Sequence, residues 1–81
     1  MRINYKTTGA CCRQINLEID ENNIIQDVEF IGGCAGNLIG IKSLVIGQDA
    51  SEVAEKLKGI PCGTKKTSCP DQLSRAIKEN L

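Results

Sequence analysis

Cysteine is the residue type of this chain with the clearest capacity for chemistry. The five cysteines are Cys11, Cys12, Cys34, Cys62 and Cys69, and the chain has no histidine. Any metal site must therefore be built from sulfur, with at most a carboxylate or water in support. All five cysteines fall in predicted bends or at the ends of predicted elements, where functional residues concentrate, whereas cysteine used as core filler would lie on apolar stripes. We therefore expect several of these sulfurs to converge on one site.

Cys69 precedes Pro70 and Asp71 at the start of the last predicted helix. Proline fits the first helical position, which puts Cys69 at or beside the N-cap. Sulfur is a poor cap, but a thiolate there is stabilised by the positive end of the helix dipole. Cys69 is therefore predicted to be a ligand or a nucleophile. Asp71 could lend a carboxylate to a metal or stabilise the helix start, and capping is the role we favour for it.

Cys34 lies in the segment GGCAGN, residues 32–37, where glycines let the backbone bend sharply. Asn37 is expected to cap the helix that follows. The competing interpretation is a tight turn with a small buried cysteine. Cys62 and Cys69 enclose a loop of six residues, which is longer than the knuckle of most structural zinc sites. The spacing alone is therefore a weak indication of zinc.

Cys11 and Cys12 are adjacent in the bend before the second predicted strand. Side chains of neighbouring residues on an extended chain point to opposite sides. Only one of the two is expected to reach the site, and the other is expected to be a spectator.

Composition predicts one small domain, residues 1–81, with a thin core. The chain has one Phe, one Tyr and no Trp, and domains of this size often need a metal, disulfides or a partner. Its ten basic and ten acidic side chains cancel, which argues against nucleic-acid and membrane partners. The sequence shows neither a membrane-spanning stretch nor a signal peptide, so we expect a cytoplasmic protein. Cysteines in that compartment more often bind metals or act as redox groups than form structural disulfides.

Hydrophobic periodicity predicts an α+β fold with a three-stranded antiparallel sheet followed by three helices. The strands are expected at about 2–7, 13–20 and 24–31, and the helices at about 37–46, 50–58 and 70–80. Inward positions on the second and third strands are Ile15, Leu17, Ile19, Ile24, Val28 and Phe30. Those on the helices are Leu38, Ile41, Leu44, Val45, Val53, Ala54, Leu57, Leu73, Ala76 and Ile77. Asp49 and Glu52 form the pattern of a capping box.

Three stretches, FIGGCAGNLIGIKSLVIG, GIPCG and TSCPDQLSRAI, resemble the TSCPD-domain family, in particular its small stand-alone members with four cysteines. The resemblance covers nearly the whole chain. It implies that the four family cysteines correspond to Cys11, Cys34, Cys62 and Cys69. The family usually has a single cysteine at the first of these positions, so Cys12 departs from the pattern, and we choose Cys11 as the ligand.

Related domains form a terminal part of vitamin-B12-dependent ribonucleotide reductases, where the cysteines are thought to bind zinc or to deliver thiols. A more distant likeness links the order of elements, with Cys11, Cys34 and Cys69, to U-type iron–sulfur scaffold proteins. The chain is too short to hold a reductase barrel, so we do not expect it to be an enzyme on its own.

Two classes of function follow from these residues. The first is a non-enzymatic module in which four thiolates close a tetrahedral zinc site and which serves a protein partner such as a ribonucleotide reductase. The second is transient chemistry at the same sulfurs, either iron–sulfur cluster assembly and carriage or a thiol–disulfide relay between Cys62 and Cys69. The relay ranks below metal binding because redox pairs usually have a shorter spacing. The apolar surface left by a thin core is also compatible with a homodimer.

Overall fold

A computed structural model describes residues 1–9, 12–32, 35–60 and 67–81, with the backbone alone at 35–37. It confirms the α+β arrangement of a three-stranded sheet followed by three helices. The strands are Arg2–Lys6 (β1), Cys12–Ile19 (β2) and Ile25–Gly32 (β3), and the helices are Ala35–Val45 (α1), Ala50–Leu57 (α2) and Cys69–Asn80 (α3).

The sheet is antiparallel, with β2 in the centre between β1 and β3. Ile15, Leu17 and Ile19 of β2 are at most 1% exposed and form the centre of the core. The residues between them on β2, such as Asn16, are only half-buried. The alternation of apolar and polar residues therefore positions β2 as predicted, because successive side chains of a strand face opposite sides of the sheet.

The start of β3 differs from the prediction by one residue. Ile25 is completely buried, whereas Ile24, the predicted inward residue, is only half-buried. The pairing of β2 with β3 shifts register between Glu18 and Ile19, at the hairpin end. A shift of this kind reverses the face that each following side chain occupies. The prediction for Ile24 was therefore wrong, and Val28 is buried as expected.

Helix α1 presents a narrower apolar face than predicted. Leu38 and Val45 are buried and Ile41 packs against the core, but Leu44 is 76% exposed. At about 100° per residue, Leu44 lies about 120° around the helix from Leu38, so it cannot share that face. The helix also begins at Ala35. Because an N-cap precedes the first helical residue, the predicted capping role of Asn37 was wrong.

Helices α2 and α3 follow the sequence closely. The side chain of Asp49 caps α2 by accepting a hydrogen bond from the backbone N–H of Glu52, at 3.1 Å. The hydroxyl of Ser74 donates to the carbonyl of Ala54, at 2.7 Å, and joins the two helices. The predicted inward residues Leu73, Ala76 and Ile77 of α3 are at most 1% exposed. Within the ranges described above, no helix is long and apolar enough to cross a membrane.

Candidate functional site

Cys69 is the first residue of α3, directly after the N-cap Ser68. The backbone of Ser68 is extended, and its hydroxyl accepts a hydrogen bond from the N–H of Asp71, at 3.1 Å. Cys69 therefore lies beside the N-cap, as predicted, and its sulfur is not needed as a cap. The residue is 8% exposed. It lies at the positive end of the helix dipole.

Cys12 contacts Cys69 across the interior of the protein. The backbone N–H of Cys12 donates a hydrogen bond to Sγ of Cys69 at 3.3 Å, across 57 residues of sequence. Cys12 is the first residue of β2, only 1% exposed, and neither thiol is in a disulfide. Burial raises the pKa of the Cys12 thiol to about 12, and the hydrogen bond and charge of Cys69 add to that rise. The backbone of Cys12 therefore contacts the Cys69 sulfur directly, a contact that its predicted role as spectator did not include.

The predicted ligands Cys11, Cys34 and Cys62 lie outside the described residues. Described residues lie on either side of each one. Cys12, which follows Cys11, is the pairing partner of Gly32, two residues before Cys34. The same Cys12 donates to Cys69, so the ends of β2 and β3 meet at the start of α3.

The residues before and after the segment that contains Cys62 both form hydrogen bonds with the start of α3. On the near side, the carbonyl of Ile60 accepts a hydrogen bond from the hydroxyl of Ser68, at 2.6 Å. The N–H of Gly59 donates to the carboxylate of Asp71, at 2.6 Å. On the far side, the hydroxyl of Thr67 donates to the same carboxylate. These bonds place residues 59–60 and 67–69 together at the N-terminus of α3.

The connection between β1 and β2 also lies against the start of α3. The N–H of Thr8 donates to the side-chain oxygen of Gln72, at 3.2 Å. Gly9 has a φ of +76°, and a Cβ added there would lie 3.1 Å from Cγ2 of Thr67. A side chain at Gly9 would therefore meet both backbone strain and a close neighbour. This close approach brings the segment before Cys11 to the helix start.

Asp71 anchors this region. Its side chain is 4% exposed and accepts hydrogen bonds from Gly59, from Thr67 and from Nε of Arg75, the last at 3.2 Å. Burial alone would raise the pKa of Asp71, but the hydrogen bonds from Thr67 and Gly59 and the Arg75 charge lower it below the ordinary value. The carboxylate therefore closes the preceding loop at the helix start. The N-cap is Ser68, so the predicted capping role of Asp71 was wrong.

The burial of Gln72 was not predicted. Gln72 is 1% exposed, and its amide nitrogen donates to the hydroxyl of Thr67, at 3.0 Å, while its oxygen accepts from Thr8. Gln72 lies four residues before Ala76 and shares its buried face. A glutamine on the apolar side of an amphipathic helix was the signal in the sequence for a buried hydrogen-bond partner.

The described part of the site contains two free cysteines, joined by a hydrogen bond from the Cys12 N–H to the Cys69 sulfur, and a buried carboxylate whose oxygens accept hydrogen bonds. Over those residues, no group of three or more Cys, His, Asp or Glu side chains could hold a metal ion. Cys69 is the predicted ligand that falls within them.

Comparison with known protein families agrees with the sequence motifs. A family model of the TSCPD domain matches residues 2–81, essentially the whole chain. Comparisons with curated proteins and with solved structures found no significant match. The match to the family model includes the cysteine-bearing segments and the buried helix start described above, and the chain therefore belongs to the TSCPD domain family.

Proposed function

We propose that the protein is a small metal-binding module in which Cys11, Cys34, Cys62 and Cys69 hold a structural zinc ion. The observation that carries the proposal is the environment of Cys69. Its largely buried Sγ accepts a backbone N–H at 3.3 Å, at the place where the segments bordering the other three cysteines meet. Hydrogen bonds from backbone N–H groups to sulfur are the usual outer-shell support of a metal thiolate. The residues present therefore fit a thiolate-bound metal.

The chemistry of the four donors favours zinc in a structural role. Four thiolates complete a tetrahedral shell and leave no open position for a substrate. Zinc bound in zinc-finger peptides contributes about 10–16 kcal/mol of apparent binding free energy, which a thin core cannot match. When bound, the ion would join the strand ends to the start of α3.

The hydrogen bonds around Asp71 and Ser68 prepare the site for the ion. Both ends of the segment that contains Cys62 are held against α3 by hydrogen bonds between protein groups alone. Holding the ends of a loop removes part of the conformational entropy that the loop must lose when a ligand residue is fixed. This preorganisation favours metal binding by a segment rich in glycine and lysine.

We further propose that the module acts in the cytoplasm and serves a protein partner such as a ribonucleotide reductase. The support is the family resemblance, together with apolar side chains on the surface of α1. Ile39 and Leu44 are 63% and 76% exposed there, which is suited to contact with a partner or with a second copy. Light scattering on the purified protein measures its molar mass and so distinguishes a homodimer from a monomer whose apolar surface is free for a different partner.

Elemental analysis with an optical spectrum tests the metal proposal directly, on protein purified without oxygen or chelators. We expect one zinc per chain and no visible absorption. Iron with sulfide and a brown colour would instead identify an iron–sulfur carrier or scaffold. Absence of metal together with a disulfide between Cys62 and Cys69 would replace the proposal with the thiol relay.

A further inference from the structure

We propose that Cys12 and Cys69 form an oxidisable dithiol, which a hydroperoxide converts into a disulfide that withdraws Cys69 from metal binding. The proposal gives a role to Cys12, a buried thiol that the zinc module does not use. Its consequence for the metal rests on the proposed function, but disulfide formation itself does not.

The two residues are already neighbours. The backbone nitrogen of Cys12 lies 3.3 Å from Sγ of Cys69 and donates its hydrogen to that sulfur. A disulfide requires the sulfur atoms to approach to about 2.05 Å, with the two Cβ atoms about 3.5–4.5 Å apart. Because Sγ of Cys69 already touches the backbone of Cys12, rotation of the Cys12 side chain can bring the two sulfurs together without moving a helix past the sheet.

Cys12 is also held firmly in place. Its carbonyl accepts a hydrogen bond from the hydroxyl of Thr7, its N–H is bonded to Cys69, and it is the pairing partner of Gly32. Hydrogen bonds to both its N–H and its carbonyl therefore hold the backbone of Cys12 in place against Cys69.

The exposure of the two thiols sets the order of the reaction. Cys69 is 8% exposed and Cys12 1%, so the oxidant reaches Cys69 first. The Cys69 sulfur attacks one peroxide oxygen and breaks the O–O bond, which gives a sulfenic acid and one molecule of water. The Cys12 sulfur then attacks the Cys69 sulfur, the S–O bond breaks, and hydroxide leaves with the Cys12 proton as a second water. Two thiols lose two electrons, and one hydrogen peroxide is reduced to two waters.

Oxidation would therefore compete with the metal for one sulfur. A metal ligand must be a thiolate, and a sulfur in a disulfide cannot serve as one. Under the zinc proposal, the disulfide removes one of the four ligands and releases the ion. A dithiol reductant restores Cys69 and allows the metal to bind again.

Peptide mapping of the full chain tests the pairing. The as-purified protein is treated with hydrogen peroxide, the remaining thiols are alkylated, and trypsin is added. Cleavage after Lys6 and Arg13 gives peptide 7–13, which contains Cys11 and Cys12, and cleavage after Lys66 and Arg75 gives peptide 67–75, which contains Cys69. We expect these two peptides to be cross-linked, and the cross-link to disappear on reduction.

Two matched variants identify the partner of Cys69. The cross-link should persist in Cys11→Ala and be lost in Cys12→Ala, and far-UV circular dichroism checks that both variants remain folded. A cross-link that survives in Cys12→Ala, or that joins peptide 67–75 to the Cys62 peptide, would overturn the proposal. So would the absence of any cross-link in the wild-type chain.

Metal analysis on the same samples separates this inference from the proposed function. Zinc in the untreated protein without a cross-link after peroxide would refute the dithiol alone. A Cys12–Cys69 cross-link in a protein that never held metal would refute the zinc module and leave the dithiol in place.

Discussion

The carboxylate of Asp71 accepts a hydrogen bond from the backbone N–H of Gly59, at 2.6 Å, across 12 residues of sequence. The same carboxylate accepts from Thr67, on the other side of the loop that carries Cys62. One buried side chain thus closes that loop at the N-terminus of α3, where Cys69 lies. The geometry of the candidate site therefore depends on this carboxylate as well as on the cysteines.

The first prediction concerns the charge of Asp71. Asp71→Asn should lower the free energy of unfolding at neutral pH by about 1–3 kcal/mol, because the amide keeps one acceptor oxygen for Gly59 but replaces the oxygen that accepts from Thr67 and Arg75 by an NH2 donor and removes the negative charge. The comparison variant is Asp27→Asn, since Asp27 pairs with Lys42 on the surface and is 62% exposed. Loss of that pair should change stability by less than about 0.5 kcal/mol. Urea unfolding of both variants measures the difference.

The pH dependence of stability follows from the same residue. The pKa of Asp71 is lower in the folded protein than its ordinary value. Its contribution is therefore complete above the unfolded pKa of about 4 and is lost as the pH falls from there through the folded pKa. Stability of the wild-type protein should decline over that acidic range, and the decline should be shallower in Asp71→Asn. Equal slopes of stability against pH in the two proteins would show that other carboxylates cause the loss of stability at acidic pH.

A second prediction concerns the N-cap of α3. Ser68→Ala removes the acceptor for the Asp71 N–H and the donor to the Ile60 carbonyl, and should destabilise the protein by about 1–2 kcal/mol. Ser43→Ala is the matched control, because the Ser43 hydroxyl bonds only to an exposed carbonyl within α1. Its effect should stay within about 0.5 kcal/mol. A thermal melt of each variant measures the change in stability, and similar losses of stability in the two variants would contradict a special role for Ser68.

A third prediction compares two leucines. Leu73 is completely buried in α3, so Leu73→Ala should cost about 2–5 kcal/mol through lost burial and the cavity left behind. Leu44 is 76% exposed on α1, and Leu44→Ala should change stability by no more than about 0.5 kcal/mol. Guanidinium unfolding measures both. A large loss at Leu44 would mean that this side chain is covered in solution by another molecule or a second copy.

A fourth prediction separates the metal ligand from its neighbour. Cys69→Ala should lose the zinc and show a lower melting temperature, because it leaves three of the four proposed ligands. Cys12→Ala keeps the backbone N–H that bonds to Cys69 and should retain one zinc per chain. Metal analysis after gel filtration gives the stoichiometry. Zinc retained in Cys69→Ala, or lost only in Cys12→Ala, would contradict the proposed ligand set.

The sequence was sufficient for the fold because its periodicities are long and regular. The alternation of Ile15, Leu17 and Ile19 and the capping pattern at Asp49 depend on local geometry that the structure retains. Ile24 was misplaced because a register shift in the hairpin arises from the pairing of two strands. A pattern within one strand does not contain that information.

The contacts within the candidate site were harder to predict from the sequence. Its cysteines could be chosen as candidates, but the contact of Cys12 with Cys69 joins residues 57 positions apart. The sequence predicts that neighbouring side chains of a strand face opposite sides of the sheet. Which of the two sides packs against a helix depends on tertiary packing. The same limit applies to Gln72 and Thr8, whose hydrogen bond depends on how α3 lies against the first connection.

X-ray absorption at the zinc edge tests the central claim most directly, since it counts the ligand atoms and measures their distances. The zinc module predicts four sulfur ligands at about 2.3 Å and no nitrogen or oxygen in the first shell. Fewer than four sulfurs, a nitrogen or oxygen ligand at about 2.0–2.2 Å, or no bound zinc would contradict it.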